Sequence, residues 1–190
     1  MGNLRIIGGE RRGFPLASPR DSELRPTSNR VREALFDILG PAIVGGRVLD
    51  LFAGTGAVGL EALSRGAAAC LFIESAPIAA ALIRTNLKSC RFEDRGELRS
   101  GSLPEALDVL EHRPDFDFVF LDPPYGGGDL GFAVLERLGS GKLVAPEGRV
   151  AFEHRKSHEI PSEFGRLRHR RTARYGDSEI SFFTVFEPRS

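Results

Sequence analysis

Four consecutive residues near the middle of the chain, Asp122-Pro123-Pro124-Tyr125, combine a carboxylate, two residues without a backbone N–H and an aromatic ring. They follow directly on Phe118-Val119-Phe120-Leu121, an apolar run of the kind that forms a buried strand. Proline cannot donate to a strand ladder, so the strand is expected to stop at Asp122 and to deliver that carboxylate at a sheet edge. This set suits the binding of a planar base through an exocyclic amine. The amine nitrogen has its lone pair delocalised into the ring and is a poor nucleophile. A carboxylate and a nearby carbonyl that accept its two hydrogens favour a pyramidal nitrogen and aim the recovered lone pair at an electrophile. The fixed φ of Pro123 and Pro124 holds the loop still, and Tyr125 offers a face on which an extruded base can stack. Asp122 could orient the amine alone or also take its proton, and a rigid turn with a surface tyrosine is the plain structural alternative.

A second constellation precedes it. Gly54, Gly56 and Gly59 in "LDLFAGTGAVGLEAL" satisfy G-x-G-x-x-G, and Glu74 follows Gly54 by 20 residues, the spacing of a ribose-binding acid. The glycines alone would equally describe a tight strand-to-helix turn. Asp50, four residues before Gly54, bears on the ligand. A carboxylate there repels the pyrophosphate of NAD. S-adenosylmethionine instead offers ribose hydroxyls to Glu74, an α-ammonium to Asp50 directly or through water, and a cationic sulfonium. On charge grounds the pattern selects S-adenosylmethionine, with S-adenosylhomocysteine as product, over NAD. A helix-cap or turn carboxylate is the alternative for Asp50.

The surrounding elements explain how both sets would be positioned. Short β-rich runs at 47–52, 69–75, 97–101, 117–123 and 148–154 alternate with helix-like stretches at 57–65, 76–89, 103–112 and 129–139. Several runs are apolar on consecutive positions, as in a parallel sheet covered on both faces. This predicts an α/β, doubly wound, Rossmann-like fold with ligands at the carboxyl ends of the strands. The last 25 residues read as two strands about Gly176-Asp177, with Phe182 and Phe183 in the core of an antiparallel hairpin. The whole is a mostly parallel, seven-stranded sheet. Residues 1–25, rich in Gly, Arg and Pro, form a small extension or hairpin before a main domain at 26–190. That domain opens with a helix capped by Thr27 or Ser28, with Val31, Leu35, Ile38 and Leu39 at helical spacing.

Composition limits the possibilities further. The chain has 190 residues, enough for one domain, and no apolar run long enough to cross a membrane or form a signal core, so a cytoplasmic monomer is expected. Cys70 and Cys90 lack metal or disulfide spacing and read as reduced, partly buried thiols. His154, His158 and His169 are too irregularly placed for a metal and are expected at the surface or as weak phosphate partners. Net charge is zero, yet residues 1–36 hold seven Arg against four acids, and residues 154–174 hold seven Lys/Arg against two. Two basic ends suit an RNA surface. Arg11, Arg12, Arg25, Arg30 and Arg32 could line such a track or be solvated charges.

"LDLFAGTGAVGLEALSRGA", "FIES" and "LDPPY" resemble amino-methyltransferases that modify nucleic-acid bases. "RIIGGERRGFPL", "LRPTSNRVREALFDIL" and "YGDSEISFF" closely resemble the RsmD-like family, from Arg5 to about Phe186. The resemblance implies a Rossmann-like methyltransferase fold and transfer from S-adenosylmethionine to a guanine N2 amine in small-subunit ribosomal RNA, free or in an assembling subunit. It places Asp50, Phe52, Gly54, Gly56, Glu74 and Ser75 at the cofactor, with Asp122 reaching it too, and Asp122 to Tyr125 at the base. Arg25, Pro26 and Thr27 would lie near the site. Ser102 departs from the pattern, standing where many relatives place an acid for the adenine amine, which puts cofactor affinity in doubt. The rivals are the same chemistry on adenine N6 or cytosine N4 in RNA or DNA, an NAD-dependent dehydrogenase, and a non-catalytic RNA-binding protein. The dehydrogenase leaves Asp50 and Asp122 without a role.

Overall fold

The computed structural model describes residues 4–19, 29–110, 115–124, 128–156 and 158–186. Arg25, Thr27, Ser28 and Tyr125 lie outside the described residues. The chain divides into two compact units, Met1–Ser100 and Gly101–Ser190.

In the first unit, Leu4 to Leu16 fold back on themselves. Ile6 donates its N–H to the Phe14 carbonyl at 2.9 Å, and Leu16 donates to Leu4 at 2.9 Å. This turn-back lies within the segment at 1–25 read as a small extension or hairpin. Helix α1 (Asn29–Leu39) leads into strand β1 (Arg47–Leu51), helix α2 (Ala57–Ser64), strand β2 (Ala69–Glu74), helix α3 (Pro77–Cys90) and strand β3 (Gly96–Ser100). β2 pairs in parallel with both β1 and β3. Every residue of α2 is buried, as suits a helix apolar on all sides except for Glu61. α3 begins on Pro77, whose missing N–H costs nothing at a first helical position, and ends at Arg91 in the left-handed region, φ 57°. Its buried residues Ala79, Ala80, Ile83, Asn86, Leu87 and Cys90 form one stripe.

The second unit contains strand β4 (Phe116–Leu121), helix α4 (Gly128–Ser140), and strands β5 (Val144–Arg155), β6 (Glu163–Phe164), β7 (Leu167–Tyr175) and β8 (Ser178–Val185). β4 and β5 are parallel, and β5–β8, β8–β7 and β7–β6 are antiparallel. The hairpin turns at Gly176-Asp177, where Gly176 has φ 66°, and Phe182 and Phe183 are both buried.

Three expectations change. The described residues contain eight strands rather than seven, because two-residue β6 is too short to leave a periodicity in the sequence. The helix expected at 103–112 is a 3-10 turn, Glu105–Leu110. Six residues provide too few i→i−4 bonds to recover the cost of α-helix nucleation. β5 starts at Val144, not 148, because Pro146 masks the strand in the sequence and is accommodated where the register against β4 shifts, between Phe116 and Phe118.

Of the histidines, His154 is not at the surface. It is 4% exposed, within hydrogen-bond distance of the Arg155 carbonyl (2.9 Å) and Ser181 Oγ (2.8 Å). Burial lowers its pKa, which favours the neutral ring. Both cysteines are buried. No helix among the described residues is long and apolar enough to cross a membrane.

Candidate functional site

The end of β1 and the start of α2 form the glycine loop. Phe52 has φ 58°, in the left-handed region, at a cost of about 1–2 kcal/mol for a residue with a bulky side chain. Gly54 and Gly56 share that region, at φ 56° and 76°, where glycine carries no such cost. Gly59 serves a different need: a Cβ there would come within 2.3 Å of Phe72 Cε1 and 2.5 Å of Cys70 Sγ. The third glycine therefore lets α2 lie against β2.

Two carboxylates hold this loop. Glu74, at the end of β2, accepts the Gly54 N–H at 2.7 Å on Oε2 and the Ala76 N–H at 2.8 Å on Oε1. Asp50 Oδ2 accepts the Gly59 N–H at 2.9 Å, in the first turn of α2. Asp50 is only 1% exposed. Burial pushes its pKa up to about 8, against the Gly59 hydrogen bond, which lowers it, and with Glu74, which raises it. Asp50, Phe52, Gly54, Gly56, Glu74 and Ser75 are thus brought together in the first unit, with Ser75 exposed. Ser102 and Asp122 belong to the second.

The amino-terminal segment braces the loop through side chains that the sequence did not single out. Asn86 of α3 accepts the Ala17 N–H at 2.7 Å and donates to the carbonyls of Ala17 at 3.1 Å and Thr55 at 3.0 Å. Glu61 of α2 accepts the N–H groups of Ile7 and Gly8, both at 2.7 Å, and Arg65 Nε at 2.7 Å. Ser64 Oγ donates to the Gly8 carbonyl at 2.6 Å. Glu61 had a signal, as the one charge inside an apolar helix. A lone Asn in α3 had none.

Arg32 corrects the expected RNA track. It is fully buried, with Nη2 donating to the Arg5 carbonyl at 2.5 Å and to Asn29 Oδ1 at 3.0 Å, and Nε 3.8 Å from Glu61 Oε2. A guanidinium so enclosed meets no phosphate; it neutralises Glu61 and ties α1 to the amino-terminal segment. Burial lowers its pKa, while Glu61 raises it. Arg11 is half-buried and donates Nε to the Cys90 carbonyl at 2.9 Å. Arg12 and Arg30 are exposed.

In the second unit, β4 ends at Leu121, so Asp122 does begin beyond the strand. Asp122 and Pro123 are half-buried and Pro124 is exposed. A Cβ on Gly131 of α4 would come within 2.7 Å of the Phe152 ring and 3.2 Å of Pro123 Cγ. α4 therefore packs closely over the first proline, which stiffens the loop. Along β7, Arg168 pairs with Glu163 (2.9 Å), Arg174 pairs with Glu179 (2.9 Å), and Arg170 donates to Thr184 Oγ1 (2.7 Å). Part of that basic surplus is thus engaged locally.

The family model described as "Conserved hypothetical protein 95" matches residues 4–184. The chain is 36% identical over 162 residues to "Ribosomal RNA small subunit methyltransferase D" of Escherichia coli (strain K12), covering 85% of this chain and 79% of that protein. It is 33% identical over 181 residues to "Putative rRNA methyltransferase YlbH" of Bacillus subtilis (strain 168), covering 95% and 98%. Among solved structures, "Putative methyltransferase yhhF" from Escherichia coli aligns with a TM-score of 0.83 at 31% identity, over 97% of this chain and 98% of that one. The architecture is that of a Rossmann-like methyltransferase, with a mostly parallel sheet and antiparallel carboxyl-terminal strands.

Proposed function

The chain belongs to the RsmD-like rRNA methyltransferases, the family described as conserved hypothetical protein 95, and on that premise we propose that it methylates the exocyclic N2 amine of one guanine in bacterial small-subunit ribosomal RNA, using S-adenosylmethionine. The observation that carries this is the intact Asp122-Pro123-Pro124-Tyr125 at the end of β4, a set suited to an exocyclic amine. The choice of guanine rests on the resemblance of the amino-terminal stretches. When bound, S-adenosylmethionine supplies a methyl group on a sulfonium; the amine lone pair displaces the thioether, leaving S-adenosylhomocysteine and one amine proton to be lost.

The residues at the glycine loop fit such a ligand by their chemistry. Glu74 would accept the ribose hydroxyls, since each carboxylate oxygen holds more than the one backbone bond it accepts. Asp50 would balance the α-ammonium, and Phe52, Gly54, Gly56, Ser75 and Ser102 would line the cofactor. Asp122, with a loop carbonyl, orients the amine, and Tyr125 stacks on the base. Arg11, Arg12, Arg25, Thr27 and Arg30 would meet the RNA. The protein would act as a monomer on free RNA or on the assembling small subunit.

Mass mapping of small-subunit ribosomal RNA from cells with and without the protein tests the reading. One guanine should lack its N2-methyl in the deletion, and purified protein should restore it. A missing methyl on adenine or cytosine, or an unchanged map, would overturn the assignment.

The raised pKa of Asp50 provides a test of the cofactor. Below about pH 8 the buried carboxyl holds a proton, and a neighbouring ammonium favours its release. Binding of S-adenosylhomocysteine should therefore release a proton near neutrality and tighten with rising pH, by at most about tenfold per unit, levelling above about pH 8. Calorimetry in buffers of different ionisation enthalpy measures that proton, and Asp50→Asn should remove it. Binding without proton release would exclude Asp50 from the cofactor site. Folding shows the opposite slope: an acid raised by burial contributes least at high pH, so stability from this group declines between about pH 4 and about pH 8.

A further inference from the structure

The adjacent ends of β4 and β5 carry a second carboxylate, to which the proposed function assigns no role. The last paired residues of these parallel strands are Leu121 and Phe152. The residues that follow are Asp122, the first beyond β4, and Glu153, still within β5. Residues at one register position of parallel neighbours project to the same face. Phe152 and His154, on either side of Glu153, have ring centroids 5.0 Å apart, and Phe152 meets Phe132 of α4 at 6.0 Å. Alternation along β5 therefore sends Glu153 to the face away from α4, opposite the side on which Pro123, the residue after Asp122, meets α4. Glu153 is only 5% exposed.

An ionised carboxylate accepts hydrogen bonds and donates none. A group of that kind beside an amine-binding loop selects among bases by what flanks the amine. Guanine places the N1–H donor next to its N2 amine. Adenine and cytosine place a lone-pair nitrogen next to theirs, which a carboxylate repels. Enzymes that extrude a base read this edge directly.

We infer that Glu153 is the specificity-determining residue that selects guanine, its carboxylate accepting the N1–H while Asp122 and a loop carbonyl take the amine hydrogens. The inference rests on the proposed guanine-N2 activity and supplies, from the body of the protein, the base choice that the Asp-Pro-Pro-Tyr loop leaves open.

The test uses unmethylated small-subunit ribosomal RNA carrying either guanine or 2-aminopurine at the mapped position. 2-Aminopurine keeps the amine, exchanges the N1–H for a lone pair and lacks the O6 carbonyl, so the Glu153→Gln arm is the one that assigns the preference to this residue. The wild-type protein should favour guanine by roughly 10- to 100-fold in kcat/KM, the effect of one buried polar group left unpaired. Glu153→Gln presents a carboxamide N–H to that lone pair, so the preference should fall to parity or reverse, with binding of S-adenosylhomocysteine unchanged. A Glu153→Gln enzyme that keeps the wild-type preference would overturn the inference. So would wild-type protein that uses both bases equally, an arm that needs no variant to fold. Methylation of guanine with equal use of 2-aminopurine sinks this inference alone, whereas a methyl on adenine or cytosine sinks the proposed function with it.

Discussion

Asp122→Ala is expected to lower methyl transfer by roughly 100- to 1,000-fold while leaving the affinity for S-adenosylhomocysteine within about twofold. The expected loss follows from the nitrogen's poor basicity. Without an acceptor for an amine hydrogen, the nitrogen stays planar, and its lone pair remains in the ring when the methyl donor is in place. The prolines cannot compensate, because their carbonyls are held by fixed φ angles and by α4 packing against Pro123. Single-turnover transfer to small-subunit ribosomal RNA, alongside calorimetric titration of S-adenosylhomocysteine, separates the two quantities. Near-normal turnover would remove Asp122 from the reaction. Asp122→Asn keeps an acceptor oxygen and loses the base. If orientation is the whole role, Asn should recover much of the rate, and if the proton goes to Asp122, it should behave like Ala.

Glu61→Ala is expected to destabilise the protein by about 3–5 kcal/mol. Four partners converge on that carboxylate: the N–H groups of Ile7 and Gly8, Arg65, and the buried Arg32. Its removal takes from the enclosed Arg32 guanidinium the carboxylate 3.8 Å away and leaves two backbone donors without their acceptor. Arg32→Met should cost less, about 1–3 kcal/mol, since Glu61 keeps Arg65 and both N–H groups. Denaturant unfolding of the two variants measures the difference. A Glu61→Ala protein as stable as the wild type would show that the amino-terminal segment is held by its apolar residues Leu4, Ile6 and Leu16 instead.

The Glu61 outcome bears on the amino-terminal segment. Residues 5–16, one of the stretches that resemble the family, meet the rest of the first unit through Glu61 and Ser64, and Ala17 just beyond them through Asn86. Gly9 shows how tightly: a Cβ there would fall 1.8 Å from the Ser64 carbonyl oxygen. Gly8 and Gly9 are accounted for by this packing and Gly13 by its φ of 84°, and of the segment's expected RNA track Arg11 is half-buried and Arg12 exposed. RNA contact by the segment, if the proposal holds, falls to a few side chains on a braced support.

The amino-acid sequence alone marked most of the elements and the two loops. Apolar runs with a period of two or continuous burial marked β1, β2 and β4, and Gly54, Gly56, Pro123 and Pro124 marked where strands had to end, because backbone conformation and missing donors are properties of the residues themselves. The tertiary structure decided which charges are available. Arg32 and Arg30 are alike in sequence, yet one is enclosed against Glu61 and the other faces solvent. His154 opens a run that reads as basic, yet it and the neighbouring Glu153 are both buried near the end of β5. Burial depends on partners brought from far along the chain, 54 residues away for Ile7 and Glu61 and 27 for His154 and Ser181, and no local pattern of residues records which face of a strand or helix those partners will cover.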